Sequence, residues 1–182
     1  MTSFPSPVIR SARLELREYD AGDAAMVLAL LGAGGEPEAL PPGAPTDPVA
    51  VPGWLADVVG RQRREGAGLH LRMLDRAAGQ IVGSISMLHA DWEVRSVEIG
   101  YGVHGQKRGQ GYASEALGAV ARWALAEGGI QRAWLTANTD NLASVRVAEK
   151  AGFHREGTLR RAGAEEDGLH DLAVFSLLDD EA

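Results

Sequence analysis

Two glycines separated by one residue, Gly109 and Gly111, stand between a strand-like run and a strongly periodic helix. No other feature constrains the fold of this chain as tightly. The run is Ser96-Val97-Glu98-Ile99-Gly100-Tyr101-Gly102-Val103, and the junction reads Gln106-Lys107-Arg108-Gly109-Gln110-Gly111-Tyr112-Ala113. Without side chains at 109 and 111, an anion can approach the free N–H groups of the helix's first turn, where the dipole favours negative charge. Successive amides in such a turn form a concave nest for anions. Lys107 and Arg108 add cationic donors at its rim. The pattern predicts a phosphate cradle.

Several nucleotide sites share Gly-x-Gly at a strand-to-helix turn. A dinucleotide fold requires Gly-x-Gly-x-x-Gly and an acidic residue about 20 residues on. Here Ser114 replaces the third glycine, and the next strand ends in Thr136-Ala137-Asn138 with no carboxylate for a ribose. A P-loop is excluded because no Gly-Lys-Ser/Thr follows. The remaining pattern, Gln-x-x-Gly-x-Gly, resembles the acyl-CoA signature of the GNAT superfamily of N-acetyltransferases. Glu98-Ile99-Gly100-Tyr101 precedes it and Tyr112-Ala113-Ser114-Glu115-Ala116-Leu117 continues it. Asn141-Leu142-Ala143-Ser144, Glu149-Lys150-Ala151-Gly152-Phe153, Glu156-Gly157 and Gly168-Leu169-His170-Asp171 follow downstream. The series is similar to the RimJ/RimL-like branch, named for ribosomal-protein N-terminal alanine acetyltransferases, and covers roughly residues 8 to 178.

A chain of 182 residues is most simply one domain over 1–182, with 45% hydrophobic and 24% charged residues in the globular range. Cysteine is absent, which excludes disulfides, thiolate metal sites and cysteine nucleophiles. No apolar run approaches the roughly 18 residues of a membrane span, and Met1-Thr2-Ser3-Phe4-Pro5 lacks the blocks of a signal peptide. The expectation is a soluble cytoplasmic protein without a membrane partner. A net charge of -7 disfavours nonspecific binding to DNA. The five histidines show no metal-ligand spacing, so no metal is expected.

Along the chain, Val8 to Arg17 ends in alternating apolar and charged residues, as a half-buried first strand does. Residues 20 to 31 read as a helix with Asp20 at its N-cap. Between Gly32 and Gly53, six prolines and five glycines preclude regular structure, and a short helix is expected from Trp54 to Arg64. Leu69 to Leu74, Gln80 to Leu88 and Ser96 to Val103 read as strands two to four. The helix after the cradle runs from about Gly109 to Glu127, with Ala113, Ala116, Leu117, Val120, Ala121 and Ala124 on one stripe. A fifth strand (Ile130 to Thr136), a helix (Leu142 to Ala151) and strands Phe153 to Leu159 and His170 to Leu177 complete an α/β (α+β) order. The resemblance implies the GNAT fold: a mixed, mostly antiparallel sheet, flanked by helices and splayed between strands 4 and 5. The pantetheine arm of coenzyme A would enter that splay like an added strand.

The resemblance also implies the chemistry. Backbone amides of Arg108, Gly109, Gln110, Gly111, Tyr112, Ala113 and Ser114, with Lys107 beside them, would hold the pyrophosphate of acetyl-CoA. The backbone of Tyr101, Gly102 and Val103 would pair with pantetheine, and an amide near Val103 would meet the oxyanion. Asn141 matches the family's cofactor-contacting asparagine, although asparagine before a helix is equally a cap. Asn138 lies close enough to take either role. Glu98 is the candidate general base, the alternative being a structural or acceptor-orienting glutamate. Many relatives place a tyrosine acid seven residues after the asparagine, where this chain has Ala148; Ser144 is then the nearest hydroxyl. The resemblance implies an N-acetyltransferase acting on a protein N-terminal amine. A small amine (an antibiotic, a polyamine or an amino-acid derivative) and a degenerate acyl-CoA sensor are the alternatives. Residues 32 to 66 and 88 to 95 would shape the acceptor mouth. The family admits homodimers, and no sequence feature decides that here.

Overall fold

In a computed structural model of the chain, the described residues are 3–31, 39–41, 43–165 and 167–181. Eight strands form one sheet in the order β1-β2-β3-β4-β5-β6-β8-β7. They are β1 (Val8–Arg10), β2 (Leu14–Glu18), β3 (Gly68–Asp75), β4 (Gln80–Asp91), β5 (Ser96–Val103), β6 (Arg132–Asn138), β7 (His154–Glu165) and β8 (Gly168–Leu178). Among the described strands, β5 and β6 make the one parallel pair. The expected first strand is two. Ser11 Oγ accepts from the Leu14 amide at 3.1 Å and the Ser11 amide donates to the Leu14 carbonyl at 3.0 Å, folding the run into a hairpin. The strands counted above as fourth and fifth are therefore β5 and β6.

Register assigns each residue to one of two faces. Leu71, Ile85 and Tyr101 are neighbours across β3, β4 and β5, and their face carries α4 (Tyr112–Ala126) and α5 (Leu142–Lys150). Small residues let α4 approach closely: Ala116, Gly118, Val120, Ala121 and Ala124 are all buried. The opposite face carries α1 (Ala24–Leu31) and a helical run that starts at Pro48, earlier than its sequence suggests. That run passes through α2 (Val51–Gly53), six residues of π geometry (Trp54–Val59) and α3 (Gly60–Arg64). Asp20 caps the 3-10 turn leading into α1, as expected, by accepting from the Gly22 amide at 2.7 Å. Residues 32–38 of the expected acceptor mouth lie outside the described residues.

A buried polar string seats the helical run on this second face. His70 packs against the Trp54 ring with centroids 5.7 Å apart. Its Nε2 lies 2.6 Å from Gln62 Oε1 and its Nδ1 2.9 Å from Ser86 Oγ. The Gln62 oxygen is an acceptor only, so Nε2 carries the hydrogen and Nδ1 accepts from Ser86. Burial pushes the imidazole down from 6.5 to about 4. The unfolded chain therefore binds a proton that the native state refuses between those values, and stability falls as pH drops through that window. The loss saturates on the order of 3 kcal/mol below pH 4. Urea unfolding of the wild type and of His70→Gln should give curves that converge as pH falls from 6.5 to 4. Parallel curves would show that His70 carries no such linkage.

Candidate functional site

The site is built on the two edges of β5. Three pairs, Ser96↔Arg132, Val97↔Ala133 and Glu98↔Trp134, join β5 to β6. Beyond Glu98 the pairing stops. On the other side β5 stays paired with β4 as far as Gly83↔Val103, and the His104 amide continues that ladder by donating to the Val82 carbonyl at 2.9 Å. Antiparallel pairing alternates residues bonded across the ladder with residues whose groups face away. With His104 bonded to β4, Gly102 and Gly100 also turn their backbone groups to β4. Ile99, Tyr101 and Val103 present theirs to the gap beside β6. Gly102, expected to pair with a ligand, therefore faces the wrong edge, whereas Tyr101 and Val103 face the right one. The Val103 carbonyl accepts from Arg108 Nε at 3.0 Å, which sets that guanidinium at the mouth of the gap.

The cradle closes that mouth. A 3-10 turn (Gly105–Lys107) leads to Gly109 at φ 75° and Gly111 at φ 82°. Both values lie in the left-handed region that glycine adopts without strain. A β-carbon on Gly109 would meet nothing within 4 Å, so conformation rather than crowding requires glycine there. Gly111 is the N-cap of α4, with no side-chain cap bond among the described residues, and residues 108 to 111 are exposed. Ser114 Oγ donates to the Gly111 carbonyl at 3.1 Å, and Gln110 Nε2 to that of Gln106 at 3.1 Å. These two side chains brace the turn and leave its amide face open.

The side chain of Tyr112 is not at the rim. It is buried, and its hydroxyl donates to Asp75 Oδ2 at 2.5 Å. That bond, with those from the Ala78 and Ala77 amides, holds Asp75 below the usual carboxylate range. Lys107 adds a smaller attraction to the same carboxylate, so its charge is felt inside the turn as well as at the rim. Arg13, which no local pattern singled out, ties the cradle to β2. Its Nη1 donates to the Gln110 carbonyl at 3.0 Å, its Nε pairs with Glu115 at 2.7 Å, and its guanidinium lies 4.4 Å above the Tyr112 ring. Glu115 also accepts from Ser11 Oγ at 2.6 Å and from the Arg13 amide at 2.8 Å. Burial raises the Glu115 carboxyl, but these bonds and the Arg13 charge outweigh it and keep the group ionised. The nearly hundred residues separating Arg13 from its partners hid this contact from the sequence.

Across the gap, Asn141 caps α5 by accepting from the Ser144 amide at 3.0 Å. The Tyr101 hydroxyl reaches over from β5 to the Ser144 carbonyl at 3.4 Å, and burial raises that phenol. Ala148 is fully buried in the core at the position where many relatives carry tyrosine. Asn138 points elsewhere: its Nδ2 donates to Glu165 at 2.9 Å and its Oδ1 accepts from the Asp140 amide at 3.0 Å. Glu165 also approaches Asp167 and His170 at the β7–β8 turn, a cluster that the sequence spacing does not show. His170 Nε2 bonds Asp167 there at 2.7 Å.

Glu98 lies at the apex where β5 and β6 part, on the face of the helical run. Its Oε2 is 2.7 Å from His89 Nδ1. A bulge in β4 between Leu88 and Asp91 makes this contact, with His89 at φ 49°. The histidine side chain is 76% exposed and the glutamate 21%. Sequence reading singled out Glu98 but had no means to pair it with His89, because the bulge sets the direction of that side chain.

A strand-gap-helix arrangement with a phosphate nest at its mouth defines an acyl-CoA-type acyltransferase fold. The family model for the GNAT acetyltransferase domain matches residues 13–154, and the chain belongs to that family. The N-acetyltransferase YoaA of Bacillus subtilis is 29% identical over 115 residues, 63% of this chain and 65% of that relative. The ribosomal-protein-serine acetyltransferase of Escherichia coli is 30% identical over 101 residues, 56% of each chain. The chain thus spans less than two thirds of the length of these curated relatives. Among solved structures, the RimL ribosomal L7/L12 alpha-N-protein acetyltransferase in complex with coenzyme A superposes with a TM-score of 0.79. That match is 21% identical and covers 97% of this chain and 100% of the other, a likeness of fold.

If Arg13 holds the cradle to the sheet, Arg13→Met should lower stability by about 1–2 kcal/mol, the sum expected of a part-exposed ion pair, a cation–π contact and one hydrogen bond. Chemical denaturation reads this directly. An unchanged midpoint would make the contact ornamental.

Proposed function

We propose that this chain transfers an acetyl group from acetyl-CoA to a primary amine in a ternary complex, with a protein N-terminal amine as acceptor. The observation that carries the reading is the unpaired edge of β5 beside the glycine nest. The backbone of Tyr101 and the amide of Val103, whose carbonyl already accepts from Arg108, offer an extended ligand the bonds of a missing strand. Amides from Gly109 to Ser114 offer its pyrophosphate the helix N-terminus, whereas the Arg108 amide already donates to the Gly105 carbonyl at 3.1 Å. Lys107 and Arg108 supply positive charge there, and coenzyme A in the RimL structure supports the choice of ligand. Acetyl-CoA brings a thioester. The protein holds it in place, receives the developing oxyanion with an amide near Val103, and accepts a proton at the apex of the gap.

The weak basic equipment suits an N-terminal amine. An α-amino group has a pKa near 8, so roughly a tenth is neutral at pH 7, whereas a lysine at about 10.4 would need stronger help. The ribosomal-protein-serine acetyltransferase of Escherichia coli points the same way. No cysteine is present and no His-Asp pair neighbours Ser144 in the sequence, which supports direct transfer without an acyl-enzyme. Ser144 lies on the first turn of α5, beside the Tyr101 phenol, where a hydroxyl can donate to the leaving sulfur. A second reading draws on Ala148: lacking the usual phenol, the chain would bind acyl-CoA without turning it over.

Calorimetric titration with acetyl-CoA should show micromolar binding while NAD and ATP remain silent. Gly111→Glu should abolish binding, because a side chain at φ 82° is strained and its charge repels phosphate. Retained affinity would displace the pyrophosphate from the cradle. Peptides with N-terminal serine or alanine, assayed beside spermidine and free amino acids, should be acetylated preferentially. Acetylation of the small amines alone would reject the protein acceptor, and binding without transfer would favour the sensor.

A further inference from the structure

We propose that His89 is the general base of this transfer and that Glu98 is the residue that positions it, an inference that rests on the acetyltransferase reading above. A carboxylate alone is a weak partner for an amine, since its ordinary pKa lies near 4. Imidazole changes charge between about pH 5 and 8 and matches the operating range of a base at neutral pH. The two groups meet at 2.7 Å through His89 Nδ1 and Glu98 Oε2. An ionised carboxylate only accepts, so Nδ1 carries the hydrogen, and in the neutral ring Nε2 keeps its lone pair. The ring is exposed, which leaves that lone pair open to a proton donor. A carboxylate that orients an imidazole and fixes its tautomer is the arrangement by which serine hydrolases prepare their base.

Backbone geometry supports the assignment independently. His89 sits at φ 49° in the bulge opposite Glu98. A non-glycine residue held in the left-handed region is costly, and such residues cluster at functional sites. The bulge re-aims one side chain next to the place where the sheet opens. Other titratable or charged groups on this face of the neighbouring described strands are already engaged. Arg132 of β6 is held by Glu156 of β7 at 2.6 Å, and His70 of β3 is buried between Gln62 and Ser86. Arg72 of β3 pairs with Asp23 at 3.3 Å.

In the step, the neutral amine nitrogen forms a bond to the acetyl carbon and sheds one proton to His89 Nε2. The carbon–sulfur bond breaks, and the thiolate takes a proton from solvent. The imidazolium then returns its proton to solvent, so atoms and charge balance without a co-reactant.

Two measurements test the assignment. Nitrogen-detected histidine spectra of the protein with coenzyme A should show His89 as the Nδ1–H tautomer. Glu98→Gln should shift it toward Nε2–H, because the new amide can donate to Nδ1. An Nε2–H tautomer or an even mixture in the wild type overturns the dyad without reference to activity. For turnover, His89→Asn keeps a residue that tolerates the left-handed conformation but cannot take the proton. With a peptide bearing N-terminal serine, it should lower kcat/KM about 100-fold. Calorimetric acetyl-CoA affinity should stay at the wild-type value, which also shows that the variant is folded. A wild-type kcat/KM in His89→Asn rejects the base role even if the dyad is present. A wild type that transfers to neither the peptide nor spermidine while the dyad is intact rejects the acetyltransferase reading instead, and with it the role given to His89.

Discussion

The parting of β5 and β6 after three paired residues is the constraint on which the rest of the molecule depends. Parallel strands normally bond along their shared length, and an unpaired row of amides inside a sheet is costly unless something satisfies it. Here the register with β4 continues to the end of β5, so the groups of Ile99, Tyr101 and Val103 have one direction left. They face a gap flanked by α5 and closed at its mouth by the glycine turn. A thin, extended ligand ending in phosphate satisfies both halves of that geometry.

Keeping the gap open takes support on both faces. The small residues of α4 bring it close to the sheet. The chain of contacts from Asp75 through Tyr112 and Arg13 to Glu115 fastens its first turn to two strands. On the other face, His70 and its two polar neighbours seat the helical run at Trp54. The network Arg132–Glu156–Ser176 ties β6 to β7 and β8, and Arg132 and Ser176 together hold the Glu156 carboxyl down at about 2. The β4 bulge then turns one histidine toward Glu98 at the apex. Rigid backbone supplies the binding surface, while side chains mainly secure that backbone. This division explains why so few side chains at the cradle remain available to a ligand.

Much of this was legible before any coordinates. Glycine at 109 and 111, the alanine stripe of α4 and the alternation of β5 are local signals, because φ preference and periodicity act over a few residues. They sufficed for the glycine turn, most of the order of elements and the family. The roles expected of Gly102 and Asn138 fared differently. Which edge a backbone group faces depends on ladder parity with β4, and an asparagine at a strand end goes to whichever neighbour the fold brings near. For Asn138 that neighbour was Glu165.

The sequence by itself determined the left-handed glycine turn, the helix that follows it and the absence of cysteine chemistry, since each resides in neighbouring residues or in composition. Only the tertiary structure decided the break between β1 and β2, the place where β5 leaves β6, the contact of Arg13 with the cradle and the pairing of His89 with Glu98. Strand register and bulges carry those decisions. They arise from packing between segments far apart in the chain, and a one-residue change in pairing redirects every side chain along a strand.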